Sequence, residues 1–230
     1  MSQERNFNVA DAELLSFSGV VASSLPNDIS DFINFDGTFD ENYPQTIQSG
    51  IDEVMNIRTD NVVIDEMTEL TQIVNASLAE CNTAFKTIRF FVKKTFANNK
   101  AVQNQFGIND IVKVRRNVPK MIVFMQDLNG MVQKYKEQLT TAGCNPTLID
   151  NITVLGEKLS QDNVKQEQFK KERGVITQER VNKLNDLYNI MKPISEIAHI
   201  IYADNNAKLA IYALPKPKSS NDNAEDILLS

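Results

Sequence analysis

The 230-residue chain is 42% apolar and 23% charged, with eight glycines and seven prolines. That balance suits an ordinary folded soluble protein rather than a disordered one. A formal charge of −6 and a pI near 5.0 speak against an unassisted nucleic-acid binder, which gains affinity by neutralising phosphates with clustered Lys and Arg.

In chain order, the opening stretch MSQERNFNVADAELL lacks the basic-then-apolar order of a secretory leader. A short helix is predicted over residues 10–24, broken by SLPND. Its LLSFSGVVASSL is too short and too rich in serine to span a bilayer, which takes about 20 apolar residues. The acidic, aromatic segment DISDFINFDGTFDENYP follows. Asp31, Asp36, Asp40 and Glu41 stand near Gly37 but miss the ligand order of a calcium-binding EF-hand loop, so a solvated surface turn is expected. Phe32, Phe35, Phe39 and Tyr43 recur at steps of three and four, and a helix is predicted over 45–57. Residues 1–58 thus read as a helical appendage.

From about residue 60 the pattern is that of long amphipathic helices. One predicted over 61–97 places Met67, Val74, Leu78, Cys81, Phe85, Ile88 and Val92 on its apolar seam, where Cys81 reads as a small buried hydrophobe. A second over 109–142, capped by Asn109 and kinked at Pro119, carries Ile111, Val114, Val118, Met121, Met125, Leu128, Val132, Tyr135 and Leu139. Lys113, Arg115, Arg116 and Lys120 give it a basic flank. TAGCNP reads as a helix stop and start, with Gly143 in the left-handed position, Asn145 as cap and Cys144 accessible in the turn.

The next helix buries Leu148, Ile149, Ile152, Leu155 and Leu159, then turns polar through SQDNVKQEQFKKER, a face free for a partner. Gly174 is expected to end it, and Thr177 to cap a last long helix seamed by Val181, Leu184, Leu187, Met191, Ile194, Ala198 and Ile201. Residues 216–230 read as a flexible tail. Asp226, Ile227, Leu228 and Leu229 set an acidic residue beside an apolar cluster, the composition of a docking motif.

Sliding the chain by 106 positions lays FANNKAVQNQFGI on YADNNAKLAIYAL. Phe96 meets Tyr202, Asn99 meets Asn205 and Phe106 meets Tyr212, while Leu78, Cys81, Phe85 and Ile88 stay in phase with Leu184, Leu187, Met191 and Ile194. Two related units, about 63–108 and 169–214, are the expectation. AVQNQFGIND, PKMIVFMQDLN and TQERVNKLNDLY resemble segments of a group of bacterial all-helical proteins with no assigned activity. The resemblance covers roughly residues 60–215 and implies a helical fold; it carries no residue roles.

Catalytic chemistry finds little footing. Glu196 and His199 form an ExxH, the spacing that sets two ligands on one helix face in di-iron bundles, yet His199 is the sole histidine. A metal role would need a site shared between identical subunits. No phosphate-binding glycine loop or nucleophile elbow occurs, and neither Cys81 nor Cys144 belongs to a CxxC pair, in keeping with a reduced cytoplasmic setting. The expected fold is all-α: an elongated antiparallel bundle of four long helices over 59–215, with short capping helices. The expected function is that of a non-enzymatic interaction or scaffold protein needing no cofactor, with protein partners or further copies of itself, and no nucleic-acid or stable membrane binding. The alternatives are a carboxylate–metal bundle using Glu196 and His199, and a membrane-active bundle that unpacks its amino-terminal segment.

Overall fold

The computed structural model describes residues 4–216, which are all-α, with no strand among them. In chain order the helices are α1 (Asp11–Phe35), α2 (Tyr43–Met55), α3 (Asp60–Thr95), α4 (Lys100–Gln105), α5 (Ile111–Val114), α6 (Val118–Lys134), α7 (Lys136–Thr141), α8 (Pro146–Ile201) and α9 (Asn206–Tyr212). The docking motif at Asp226, Ile227, Leu228 and Leu229 lies outside the described residues. Two compact units emerge. The described residues before 61 and after 173 form the first; residues 61–173 form the second.

In the first unit, α1 turns Leu14, Ser18, Val21, Leu25 and Phe32 to the core at helical spacing. Burying each large apolar side chain contributes about 1.5–3 kcal/mol. The helix runs unbroken through Pro26, where the sequence suggested an end. A proline ring fits helical φ and removes only one backbone hydrogen bond, and Leu25 and Phe32, both fully buried on either side, hold the segment in place. The core is completed by Ile47 and Val54 of α2 and by Leu184, Leu187, Met191, Ile194 and Ala198 of α8. So α1 and α2 are half of a shared core, where the sequence reading made them an appendage. Gly50 permits this packing: a Cβ there would stand 3.2 Å from Leu187 Cδ1. Arg180 finishes α2 by donating from Nη1 to the carbonyls of Val54 and Ile57, both at 3.3 Å, while its Nε donates to Asp11 Oδ2 at 3.3 Å. These bonds satisfy carbonyls that a helix end leaves over.

In the second unit, Val74, Cys81, Phe85, Ile88 and Val92 of α3 pack with Met121, Met125, Leu128 and Val132 of α6 and with Ile149, Ile152 and Leu159 of α8. Gly156 plays the part of Gly50, its missing Cβ lying 3.2 Å from Met125 Cβ. The predicted continuous helix over 109–142 is instead three. Asn117 accepts from Lys120 N at 2.9 Å and Pro119 occupies the first turn of α6, so the proline marks a start rather than a kink. Asn109 does not cap; its amide donates to Asn104 Oδ1 at 2.8 Å. The stop at Gly143 matches expectation, with φ at +97° and Cys144 N donating to Leu139 O at 2.9 Å.

Gly174, expected to end a helix, lies inside α8. A glycine costs a helix interior about 1 kcal/mol and is overridden when both flanks are anchored in cores. Thr177 accordingly caps nothing, and its hydroxyl donates to Asp60 Oδ1 at 3.3 Å.

Both units close in the same manner. Asn99, at φ −118° and ψ 83°, accepts from Val102 N at 3.1 Å; Asn205, at φ −124° and ψ 82°, accepts from Lys208 N at 3.1 Å. The short helix that follows then lays a ring over the one before the turn. Phe96 and Phe106 stack at 6.2 Å, Tyr202 and Tyr212 at 5.9 Å. A third ring meets each pair edge-on, Tyr135 at 5.1 Å from Phe96 and Phe32 at 5.2 Å from Tyr212. Tyr135 stands at the break between α6 and α7.

Candidate functional site

A cleft of about 570 Å³ opens in the second unit, between the turn after α4 and the outer face of α6. Its volume lies in the range of ligand-binding clefts. Local sequence builds it in steps. Asn99 starts α4, and Gln103 Nε2 donates to Phe96 O at 2.7 Å, holding the turn. Phe106 goes into the core and Gly107 reverses the chain at φ +70°. After α5, Asn82 Nδ2 donates to Arg115 O at 3.0 Å and pins the connection to α6. Helix α6 then sends Phe124 and Leu128 inward, while Val123 is 57% exposed on the cleft wall.

Gly107 and Phe124 are interlocked. A Cβ at Gly107 would lie 2.4 Å from Phe124 Cε2, and the ring rests edge-on to Phe85 at 5.0 Å. The floor is therefore apolar and fixed. Around it stand Asp110, Lys120 and Asp127 with the amides of Asn104 and Gln105. Asp110 faces Lys113 at 3.5 Å, a solvated pair of small energetic weight. No histidine or cysteine lines the cleft; its ionisable side chains are Asp110, Lys120 and Asp127, all exposed.

A polar cluster closes the first unit. Tyr212 Oη donates to Asp28 Oδ2 at 2.8 Å and Tyr202 Oη to Asp31 Oδ2 at 2.7 Å, while Lys208 Nζ reaches Asp28 Oδ1 at 2.8 Å and Asp31 Oδ2 at 3.4 Å. Burial, then the bonds to carboxylates, raises both phenols above the ordinary tyrosine range. The bond from Tyr202, then that from Lys208, lowers Asp31. Lys208 is raised chiefly by its bond to Asp28. Every donor here has an acceptor, which makes the cluster a fastening between α1 and α9.

The structure separates the other residues singled out by sequence. Glu196 is exposed, 3.8 Å from Lys192, and His199 spends Nδ1 on Ser195 O at 2.7 Å one turn back. No group of three or more His, Cys, Asp or Glu suited to a metal ion forms among the described residues. Of the acidic segment, Asp31 belongs to α1, and Asp36 and Asp40 accept from Thr38 N and Asn42 N at 2.9 and 2.8 Å as ordinary turn formers. Cys81 is buried with its thiol pushed up to about 11 by burial, then by Glu80. Cys144, expected to be accessible, is only 1% exposed, and burial raises it too. Reactive cysteines need the opposite environment. Lys120 alone of the basic flank lines the cleft. Sequence reasoning missed Gly107, Val123 and Asp127. The available signal was NQFGIND followed by NVPK, a glycine turn and a capped restart that leave a gap between two helices.

The fold defines the class as an all-α protein, and no helix among the described residues is long and apolar enough to cross a membrane. No protein-family model matches the chain, and neither curated proteins nor solved structures give a match.

Proposed function

We propose that this is a non-enzymatic helical interaction protein, and that the cleft of the second unit is where a partner protein inserts an apolar segment. The observation that carries the reading is the cleft itself: an apolar floor, set by the Gly107–Phe124 contact and open to solvent. Interfaces draw most of their energy from a few large side chains seated in such desolvated pockets, with charges at the rim. The matching caps at Asn99 and Asn205 and the shared 106-position offset of Gly50 and Gly156 support a scaffold built by duplication, in which one unit has kept a sealed end and the other an open flank.

The test is affinity capture from cell extract with the whole protein and with Val123→Glu, which sets a charge on an already exposed wall position. A partner retained by the parent and lost by the variant is the expected result. Capture of the same proteins by both, with folding intact by circular dichroism, rejects the cleft as the binding face. Light scattering over a range of concentrations tests whether a second copy is the partner.

A further inference from the structure

We infer that the outward face of α3 around Phe90, with α5 beside it, is a docking surface for an anionic lipid bilayer. This face is not the cleft wall, and the inference does not rest on the reading of the cleft. Charge is the first observation. Residues 81–126 hold nine Lys and Arg against one acidic residue, Asp110, a local charge of +8 in a chain whose formal charge is −6. Charge of one sign gathered on part of a molecule draws the opposite sign from a distance. Lys86, Lys93, Arg115 and Arg116 enter no ion pair among the described residues, so they are free to meet it.

Geometry is the second observation. Lys86 and Lys93 stand four residues before and three after Phe90, which sets all three on one side of the helix. All are exposed, Phe90 by 63%, and its ring is steadied edge-on by Phe91 at 5.2 Å. Arg89 lies half-buried next to them, and its Nε has no acceptor. One turn before Lys86, Asn82 Nδ2 donates to Arg115 O at 3.0 Å, which holds the end of α5 against α3. That contact brings in the exposed Arg115 and Arg116, and with α5 comes Val112, 68% exposed. Cations in a last turn also offset a helix dipole. Lys94 serves the chain locally, donating to Ala142 O at 2.7 Å, but Lys86 lies well inside α3 and has no such task. An anionic bilayer answers both observations: headgroups neutralise the cations while the interface takes up the exposed ring and valine. A nucleic acid answers only the first. Its phosphates offer Val112 no apolar surface, and platforms for single strands stack bases on successive rings, where this face presents Phe90 alone. The contact is peripheral, since no helix among the described residues is long and apolar enough to cross.

The experiment sediments the full chain with vesicles of phosphatidylglycerol in phosphatidylcholine, and with vesicles of phosphatidylcholine alone. Binding to the first kind only, weakening as salt rises, is the expected result. Each cation at such a surface is worth about fivefold in partitioning, so Lys86→Gln with Lys93→Gln should weaken binding about 25-fold. Lys165→Gln with Lys171→Gln removes the same charge from exposed positions of α8 and should leave binding unchanged. Phe90→Trp supplies the chain's only tryptophan, whose emission should move to shorter wavelength when the anionic vesicles are added. Circular dichroism checks that each variant is folded. Equal sedimentation with both kinds of vesicle, or with neither, overturns the inference. So does an equal loss in the two double variants, or a tryptophan emission that vesicles leave in place. A single-stranded oligonucleotide that binds the parent, binds the Lys86→Gln, Lys93→Gln protein less, and finds no vesicle competing replaces the bilayer by a nucleic acid and overturns it too. Val123→Glu reads the cleft and these variants read α3, so partner capture and vesicle binding can each fail without the other.

Discussion

Replacing Gly107 by alanine tests the geometry of the cleft most directly. The new methyl would sit 2.4 Å from Phe124 Cε2 and 3.1 Å from Cζ, on a residue held at φ +70°. The left-handed backbone alone costs an L-residue about 1–2 kcal/mol. The clash adds to it, because the ring of Phe124 is packed edge-on at 5.0 Å against Phe85, which is 1% exposed. Forcing a packed ring aside costs about 1–3 kcal/mol, so the sum is about 2–5 kcal/mol.

Gly143 supplies the control. It has φ +97°, but its nearest neighbour is Lys94 Nζ at 3.9 Å, the far end of a flexible chain. Gly143→Ala therefore carries the backbone part alone, about 1–2 kcal/mol. Urea unfolding of both variants reads the difference, and Phe124→Leu in the Gly107→Ala background should recover part of it, measurable as a coupling energy in a double-mutant cycle. Equal destabilisation of Gly107→Ala and Gly143→Ala would falsify the interlock and with it the fixed floor of the cleft.

Cys81 gives a pH signature. Its folded pKa of about 11 exceeds the ordinary 9.0. Between these values the unfolded chain has lost a proton that the folded chain keeps, so the thiol's contribution is complete below pH 9 and fades as pH rises toward 11. Two pH units correspond to about 3 kcal/mol, and Cys81→Ala should flatten the stability profile over that window in pH-dependent denaturation. Asn99→Ala and Asn205→Ala should each cost about 1 kcal/mol by urea unfolding, the usual loss of a side-chain cap; a near-zero effect at either site would remove the cap from the closing device. Arg180→Met should cost about 2–4 kcal/mol, because Ile57 O and Asp11 lose a buried donor. A neutral result in thermal denaturation would show that water replaces it.

The seams at 3-4 spacing were legible because burial is written in periodicity: α2 and α3 appear within two residues of the expected bounds. What the sequence concealed was competition between signals. Pro26 and Gly174 are breakers by propensity, yet Pro26 stands between the buried Leu25 and Phe32, and Gly174 lies in an exposed stretch of α8 that is anchored in cores at Leu159 and Leu184. Pro119 was read as a kink because the apolar seam runs on past it; the deciding residue was Asn117, two positions earlier, whose side chain starts a new helix. The cleft was invisible for a related reason. Its walls follow an uninterrupted apolar pattern, and only the reversal at Gly107 marks the gap beside α6 that the cleft occupies.

The rings that fasten the first unit also decide how the molecule can be watched. The chain has no tryptophan and five tyrosines, and four of these, Tyr43, Tyr188, Tyr202 and Tyr212, belong to the first unit; Tyr135 alone lies in the second. Intrinsic ultraviolet emission is therefore nearly a private signal of one half of the protein. A melt followed at the tyrosine band reports α1, α2, α9 and the end of α8 and passes over most of what happens at the cleft. A single tryptophan placed at Val123 would give the silent half a voice of its own, at a wavelength the tyrosines do not share.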